Sequence, residues 1–198
     1  MHHQPLLVVL RAEQPLELSP RLDELSAIGV RQVEIAWSDH PAWAEQVSLL
    51  RQRYPSLALG AASLTTGAGV EGAVAAGLGY AMAPVLDPAL QRQAAASGLL
   101  LVPGVFSPSE VQAARVLGCE LVKLFPAATL GAPYWQRLRQ PLGALPFCIA
   151  AGGLGVGDLD VWLEAGVDAV TLGSQVADGA ELADLAAWIL RREAKRRV

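Results

Sequence analysis

The stretch "SPSEVQAARVLGCELVKLFPA", Ser107 to Ala127, holds one complete helix-and-strand unit and the most unusual side chain of the protein. Ser107 offers a hydroxyl to the unpaired N–H groups of a helix start. Pro108 suits the first helical position, and Glu110 completes a capping box. The pattern predicts a helix over Pro108 to Leu117, ended by Gly118. An apolar strand, "LVKLFPA", follows from Leu121 to Ala127, and Lys123 interrupts it. Only one other lysine occurs, Lys195 near the C-terminus, against thirteen arginines.

Working outward, the same order of helix, glycine and apolar strand recurs along all 198 residues. The β-prone runs are Leu6 to Ala12, Arg31 to Trp37, Leu57 to Ser63, Tyr80 to Val85, Leu99 to Val105, Leu121 to Ala127, Pro146 to Gly153 and Ala169 to Val176. Helical patterns lie between them, as at Leu16 to Ile28, Pro41 to Leu50, Pro108 to Leu117 and Leu159 to Ala165. In the last of these Asp158 is the expected cap and Gly166 the stop. Eight strands alternating with helices predict one compact (β/α)8 barrel domain over residues 1–198. A doubly wound open sheet is the alternative, but the first strand runs into "LRAEQP" and no glycine-rich nucleotide motif follows it.

Composition narrows the function. Hydrophobic residues make up 53% and charged residues 17%, as in a buried parallel sheet covered by helices. A net charge of −4 argues against nucleic acid and anionic membranes as partners. The basic end at 191–198 fits a solvated helix C-terminus. No run is long and apolar enough to span a bilayer, and no secretion leader is legible, so a cytoplasmic location is expected. Cys119 and Cys148 read as small apolar residues of a reducing compartment. His2, His3 and His40 are badly placed for a metal site, so neither metal nor other cofactor is expected.

In a barrel of this kind, functional groups sit at the C-terminal ends of the strands. Alternation along the second strand sends Val33, Ile35 and Trp37 one way and Glu34 and Ala36 the other, so Glu34 points into the barrel. In the sixth strand Leu121, Lys123 and Phe125 face inward, while Val122 and Leu124 face the helices. Even-numbered strands contribute to common layers, which brings a carboxylate and an amine into one apolar interior. One reading is a buried salt bridge, although such pairs give little net stability and arginine would serve. The other is imine chemistry, because only lysine can become a neutral amine near pH 7 and attack a carbonyl. Gly152 and Gly153 after the seventh strand, with Gly173 and Ser174 after the eighth, stand where barrels hold phosphate on backbone N–H groups. Arg11 suits a carboxylate clamp or a rim ion pair. Ser63 suits a ligand group or a plain turn.

These residues resemble the 2-keto-3-deoxy-6-phosphogluconate (KDPG) aldolases and the 4-hydroxy-2-oxoglutarate (KHG) aldolases over nearly the whole chain. "VVLRA", "VEIAW", "GAAS", "MAP", "PGVFSPSE", "KLFPA", "AGG" and the closing "GS" carry the likeness in order. The resemblance implies a metal-independent class I aldolase that cleaves a 2-keto-4-hydroxy acid, or a phosphorylated sugar acid, into pyruvate and an aldehyde. It implies Lys123 as the Schiff-base lysine and Glu34 as the general acid/base. Ser63 falls near the pyruvate carboxylate, Pro84 and Phe125 at pocket walls, and Gly152, Gly153 and Ser174 at the phosphate. A homotrimer is implied, and Trp37, Trp43, Phe106 and Trp135 are candidates for its interface.

The chain also departs from the family pattern. Ala36 and Ser38 stand where many members carry threonine and arginine, which leaves Arg11 to bind the carboxylate. Ala151 replaces the threonine of "PTGG", and Ala128 the glutamate after "FPA". Two other readings fit these losses: a non-catalytic barrel binding phosphate or keto acids, and another lysine-dependent barrel enzyme.

Overall fold

The computed structural model describes residues 4–173, 176 and 179–196. Nine parallel strands are formed: β1 (Leu6–Leu10), β2 (Gln32–Ala36), β3 (Ala58–Ala62), β4 (Tyr80–Met82), β5 (Leu100–Val102), β6 (Gly104–Val105), β7 (Leu121–Leu124), β8 (Phe147–Ala151) and β9 (Ala169–Leu172). They pair in the order β5-β4-β3-β2-β1-β9-β8-β7-β6. The pieces β5 and β6 are the expected fifth strand, divided at Pro103, which has no N–H to give a ladder. The Pro103 carbonyl still accepts from the Lys123 N–H at 2.8 Å, and Val105 accepts from Phe125 at 3.0 Å. The sheet is thus a nearly closed barrel, as the strand spacing predicts.

The helices cover its outside: α1 (Ser19–Ala27), α2 (Trp43–Arg53), α3 (Gly67–Ala75), α4 (Pro88–Ala96), α5 (Pro108–Val116), α6 (Ala127–Leu130), α7 (Tyr134–Arg137), α8 (Arg139–Leu142), α9 (Leu159–Glu164) and α10 (Gly179–Arg196). The capping box of α5 forms as read. Glu110 accepts from the N–H groups of Phe106 and Ser107 at 2.9 and 2.8 Å, and Ser107 Oγ accepts from the Glu110 N–H. Two expectations are corrected. The helix expected from Leu16 opens with a 3₁₀ turn, Pro15–Leu18, before α1. Asp158 stands at the N-cap position of α9, but its side chain gives that helix no capping bond: it ends a 3₁₀ turn, and its carboxylate accepts from the Gly155 N–H at 2.9 Å.

Period-2 alternation divides the apolar side chains between two cores. Val8, Val33, Ile35, Val122, Leu124, Val170 and Leu172 face outward and pack with Leu22, Leu25, Val47, Leu50, Val111 and Leu185 from the helices. Leu7, Met82, Val102, Ile149 and Ala169 fill the barrel itself, with Tyr80, Leu121 and Phe147 packed against them. Two of the three tryptophans proposed for an interface are core residues instead. Trp43 and Trp135 are fully buried, and Trp37 is half-buried, with its ring edge-on to Trp43 at 4.8 Å. A tryptophan at a strand end buries its large face beneath the flanking helix when small residues leave room. Gly69 and Gly72 of α3 leave it for Trp37. Of the four, only Phe106 is substantially exposed.

Candidate active site

The registers fix which inward side chains share a level. Glu34 pairs with Val9 and Gly60, Met82 with Val102, Lys123 with Gly104 and Ile149, and Thr171 with Leu7 and Ala151. Strands in a barrel are tilted, so one level climbs about two residues for every second strand. From Glu34 on β2 this climb leads to Met82 on β4, Lys123 on β7 and Thr171 on β9, and then back to Glu34. The four form one layer from alternate strands. All are buried, at 0%, 0%, 6% and 3% exposure respectively. Such layers are usually filled by bulky aliphatic side chains; here three of the four members are polar.

Glu34 is held rigidly by its strand but by no hydrogen bond. Both carboxylate oxygens lack a partner among the described residues, and no ion pair with Lys123 is formed. Burial without compensation raises its pKa from 4.5 to about 8, against the opposing pull of the Lys123 charge. Near neutrality the carboxyl therefore carries a proton. Lys123 is pushed the other way, its pKa lowered first by burial, with the charge of Glu34 opposing and that of Arg11 assisting. Burial thus shifts Lys123 in the direction of the neutral amine. The alternative reading of a buried salt bridge is not realised: no ion pair joins the two groups.

The mouth above the layer gathers most of the other predicted residues. Arg11 follows β1 on the same face as Leu7 and Val9. It donates to Ser63 Oγ at 3.1 Å, and no acidic residue among the described residues pairs with it. Ser63 has φ +62°, a left-handed backbone that non-glycine residues adopt rarely and at some cost. The turn after β3 thereby presents its hydroxyl to Arg11. Phe125 lies over the amine, its ring centroid 4.6 Å from Lys123 Nζ. Gly152 makes room for it: φ is +97°, and a Cβ there would lie 2.9 Å from the Phe125 ring. Gly153, also in a left-handed conformation, continues the turn. Pro84 is half-buried after β4, where its carbonyl lies against Gly104 at a place a Cβ would occupy. Gly173 ends β9 in the open. Ser174 lies outside the described residues.

Sequence reasoning passed over two inward residues. Tyr80 lays its ring on Gly60, and burial together with the Glu34 charge holds its phenol well above the usual range. Its alternation with Ala81 was the available signal. Thr171 places a buried hydroxyl on the face of Leu7 and Ala169, with no hydrogen-bond partner among the described residues. Nothing in "AVTL" distinguishes it from an ordinary β-forming threonine.

Comparison with known proteins gives this arrangement a context. The 2-dehydro-3-deoxy-phosphogluconate aldolase of Dickeya dadantii is 30% identical over 149 residues, covering 75% of this chain and 68% of its own. The 2-dehydro-3-deoxy-6-phosphogalactonate aldolase of Escherichia coli is 26% identical over 173 residues, covering 87% and 84%. In fold, the native KDPGal structure superposes with a TM-score of 0.83 at 24% identity, covering 98% of this chain and 97% of that one. The family model for KDPG and KHG aldolase matches residues 1–188, and the chain belongs to that family of aldehyde-lyases.

Proposed function

We propose that Lys123 and Glu34 carry a class I aldolase reaction on a 2-keto-4-hydroxy acid, releasing pyruvate and an aldehyde. The observation that carries this reading is their joint occupancy of one buried layer, with the carboxyl unpaired and the amine free of any ion pair among the described residues. Neutral Lys123 adds to C2 of the keto acid, and loss of water gives an iminium that withdraws electrons from C3. Glu34, then a carboxylate, takes the proton from the C4 hydroxyl, directly or through one water, as the C3–C4 bond breaks. The same carboxyl returns a proton to C3 of the enamine, and hydrolysis frees pyruvate and the amine. A carboxyl with a pKa near 8 can both give and take a proton at neutral pH.

Arg11 and Ser63 bind the substrate carboxylate from the mouth, and Phe125 and Pro84 wall the pocket. Gly152, Gly153, Gly173 and Ser174 receive the distal phosphate of a sugar acid on backbone N–H groups. The protein works without a metal, as a cytoplasmic homotrimer. Among the described residues no helix is long and apolar enough to cross a membrane.

A coupled assay of pyruvate release tests the activity, with KDPG, its phosphogalactonate epimer and 4-hydroxy-2-oxoglutarate as substrates. Turnover of at least one is expected, fastest for a phosphorylated acid. Calorimetric binding of these acids without any pyruvate release would replace the aldolase reading with that of a binding protein.

A further inference from the structure

Thr171 is the polar member of the layer to which the reaction above gives no task. Its hydroxyl is buried and makes no hydrogen bond among the described residues. Its register neighbours, Ala151 and Leu7, have no polar side-chain atom to offer. A buried hydroxyl in that state lowers stability, and a valine of the same shape would fill the space without the cost. The hydroxyl is therefore free to pair with a bound molecule.

We infer that Thr171 is a further catalytic residue, which hydrogen-bonds the oxygen on C2 of the keto acid while Lys123 adds to that carbon. The inference rests on the aldolase reading and extends it. As the Lys123 nitrogen forms its bond to C2, the carbonyl π pair moves onto oxygen. One proton passes from nitrogen to that oxygen by way of Glu34. A second proton, from the Glu34 carboxyl, carries the oxygen away as water and leaves an iminium and a carboxylate. Through these steps the oxygen is alternately acceptor and donor inside an apolar barrel. It needs a fixed partner that can do both. Glu34 is occupied with the protons, and Met82 has only a weak acceptor sulfur. In this layer Thr171 alone supplies a hydroxyl.

The test uses Thr171→Val and Thr171→Ser in the full chain, with pyruvate as the probe. Borohydride quenching at timed intervals gives the rate of adduct formation, steady-state assays give kcat and KM, and thermal melts give stability. In the valine variant adduct formation and kcat should fall on the order of 10- to 100-fold, the scale of one buried hydrogen bond. KM should change little, and the melting temperature should hold or rise. Thr171→Ser keeps the hydroxyl and should stay within a few-fold of the parent in adduct rate. Adduct formation at the parent rate in the valine variant would overturn the inference while leaving the aldolase reading intact. So would a serine variant as impaired as the valine, or an activity loss that merely follows a stability loss. A parent that forms no adduct would remove the aldolase reading, and this inference with it.

Discussion

The protein buries polar side chains at two levels and treats them in opposite ways. At the N-terminal end, Gln4 donates to the Gly29 carbonyl at 2.9 Å and accepts from the Arg31 N–H at 2.8 Å, while Gln32 donates to the Gln4 carbonyl at 3.1 Å. These amides tie the β1 and β2 starts to the end of α1. In the layer of Glu34, Met82, Lys123 and Thr171, two side chains have no hydrogen-bond partner among the described residues. Buried polar groups are almost always paired, so an unpaired set is a feature with a cost that folding alone does not repay. The lower level is built for stability and the upper one for a visitor. A chain uses the same kind of residue for both, and only the pairing tells them apart.

The strongest test of that contrast is Lys123→Arg. Charge is kept and size is similar, but a guanidinium with a pKa above about 12 cannot become a neutral nucleophile. Aldol cleavage should fall by several orders of magnitude in steady-state assays while the melting temperature stays close to the parent's. Near-normal turnover would return Lys123 to a structural role. Next in size is Glu34→Gln, which leaves the amine in place. Turnover should fall by roughly 10²- to 10⁴-fold as acid–base assistance is lost, with slow adduct formation persisting.

The same variant has a stability signature of defined sign. The folded-state pKa of Glu34 is raised from 4.5 to about 8, so stability from this site is complete below about 4.5 and is lost as pH rises through about 8. Glu34→Gln has no such loss. Its melting temperature should gain on the parent's between pH 5 and pH 9, at roughly 2–4 °C per kcal/mol for a chain of this size. Lys123, with its lowered pKa, contributes in the opposite sense, its stabilisation falling away as pH drops. A difference that shrinks with rising pH would mean that Glu34 is ionised in the resting barrel. The smallest catalytic effect belongs to the lower level. Gln4→Ala should cost on the order of 1–3 kcal/mol of stability, because it strands the Gly29 carbonyl and the Arg31 N–H, and should leave kcat unchanged. A large loss of kcat with little loss of stability would erase the distinction between the levels.

Much of this was legible before any coordinates. Strand periodicity alone turned Glu34 and Lys123 inward, and counting strands put them in a common layer. The helix stops at Gly118 and Gly166 followed from sequence, and both adopt the left-handed backbone expected. What stayed hidden depends on neighbours far away in the chain. The absence of a partner for Thr171 is a property of Ala151 and Leu7, not of the letters around it. Trp43 and Trp135 belong to α2 and α7 and pack into the core against residues distant in the chain, so two aromatic residues were misread as an interface. Asp158 looked like a cap because its carboxylate does bond a backbone N–H, but one at the start of a 3₁₀ turn instead of α9.

The central claim is that Lys123 is a neutral nucleophile facing an unpaired acid, and trapping addresses it directly. The protein is incubated with pyruvate near neutral pH, reduced with borohydride, digested and mapped by mass spectrometry. A single stable adduct on Lys123, absent from Lys123→Arg, is the expected result. An unmodified Lys123 in the parent, under conditions where another lysine or the N-terminus is labelled, would contradict it.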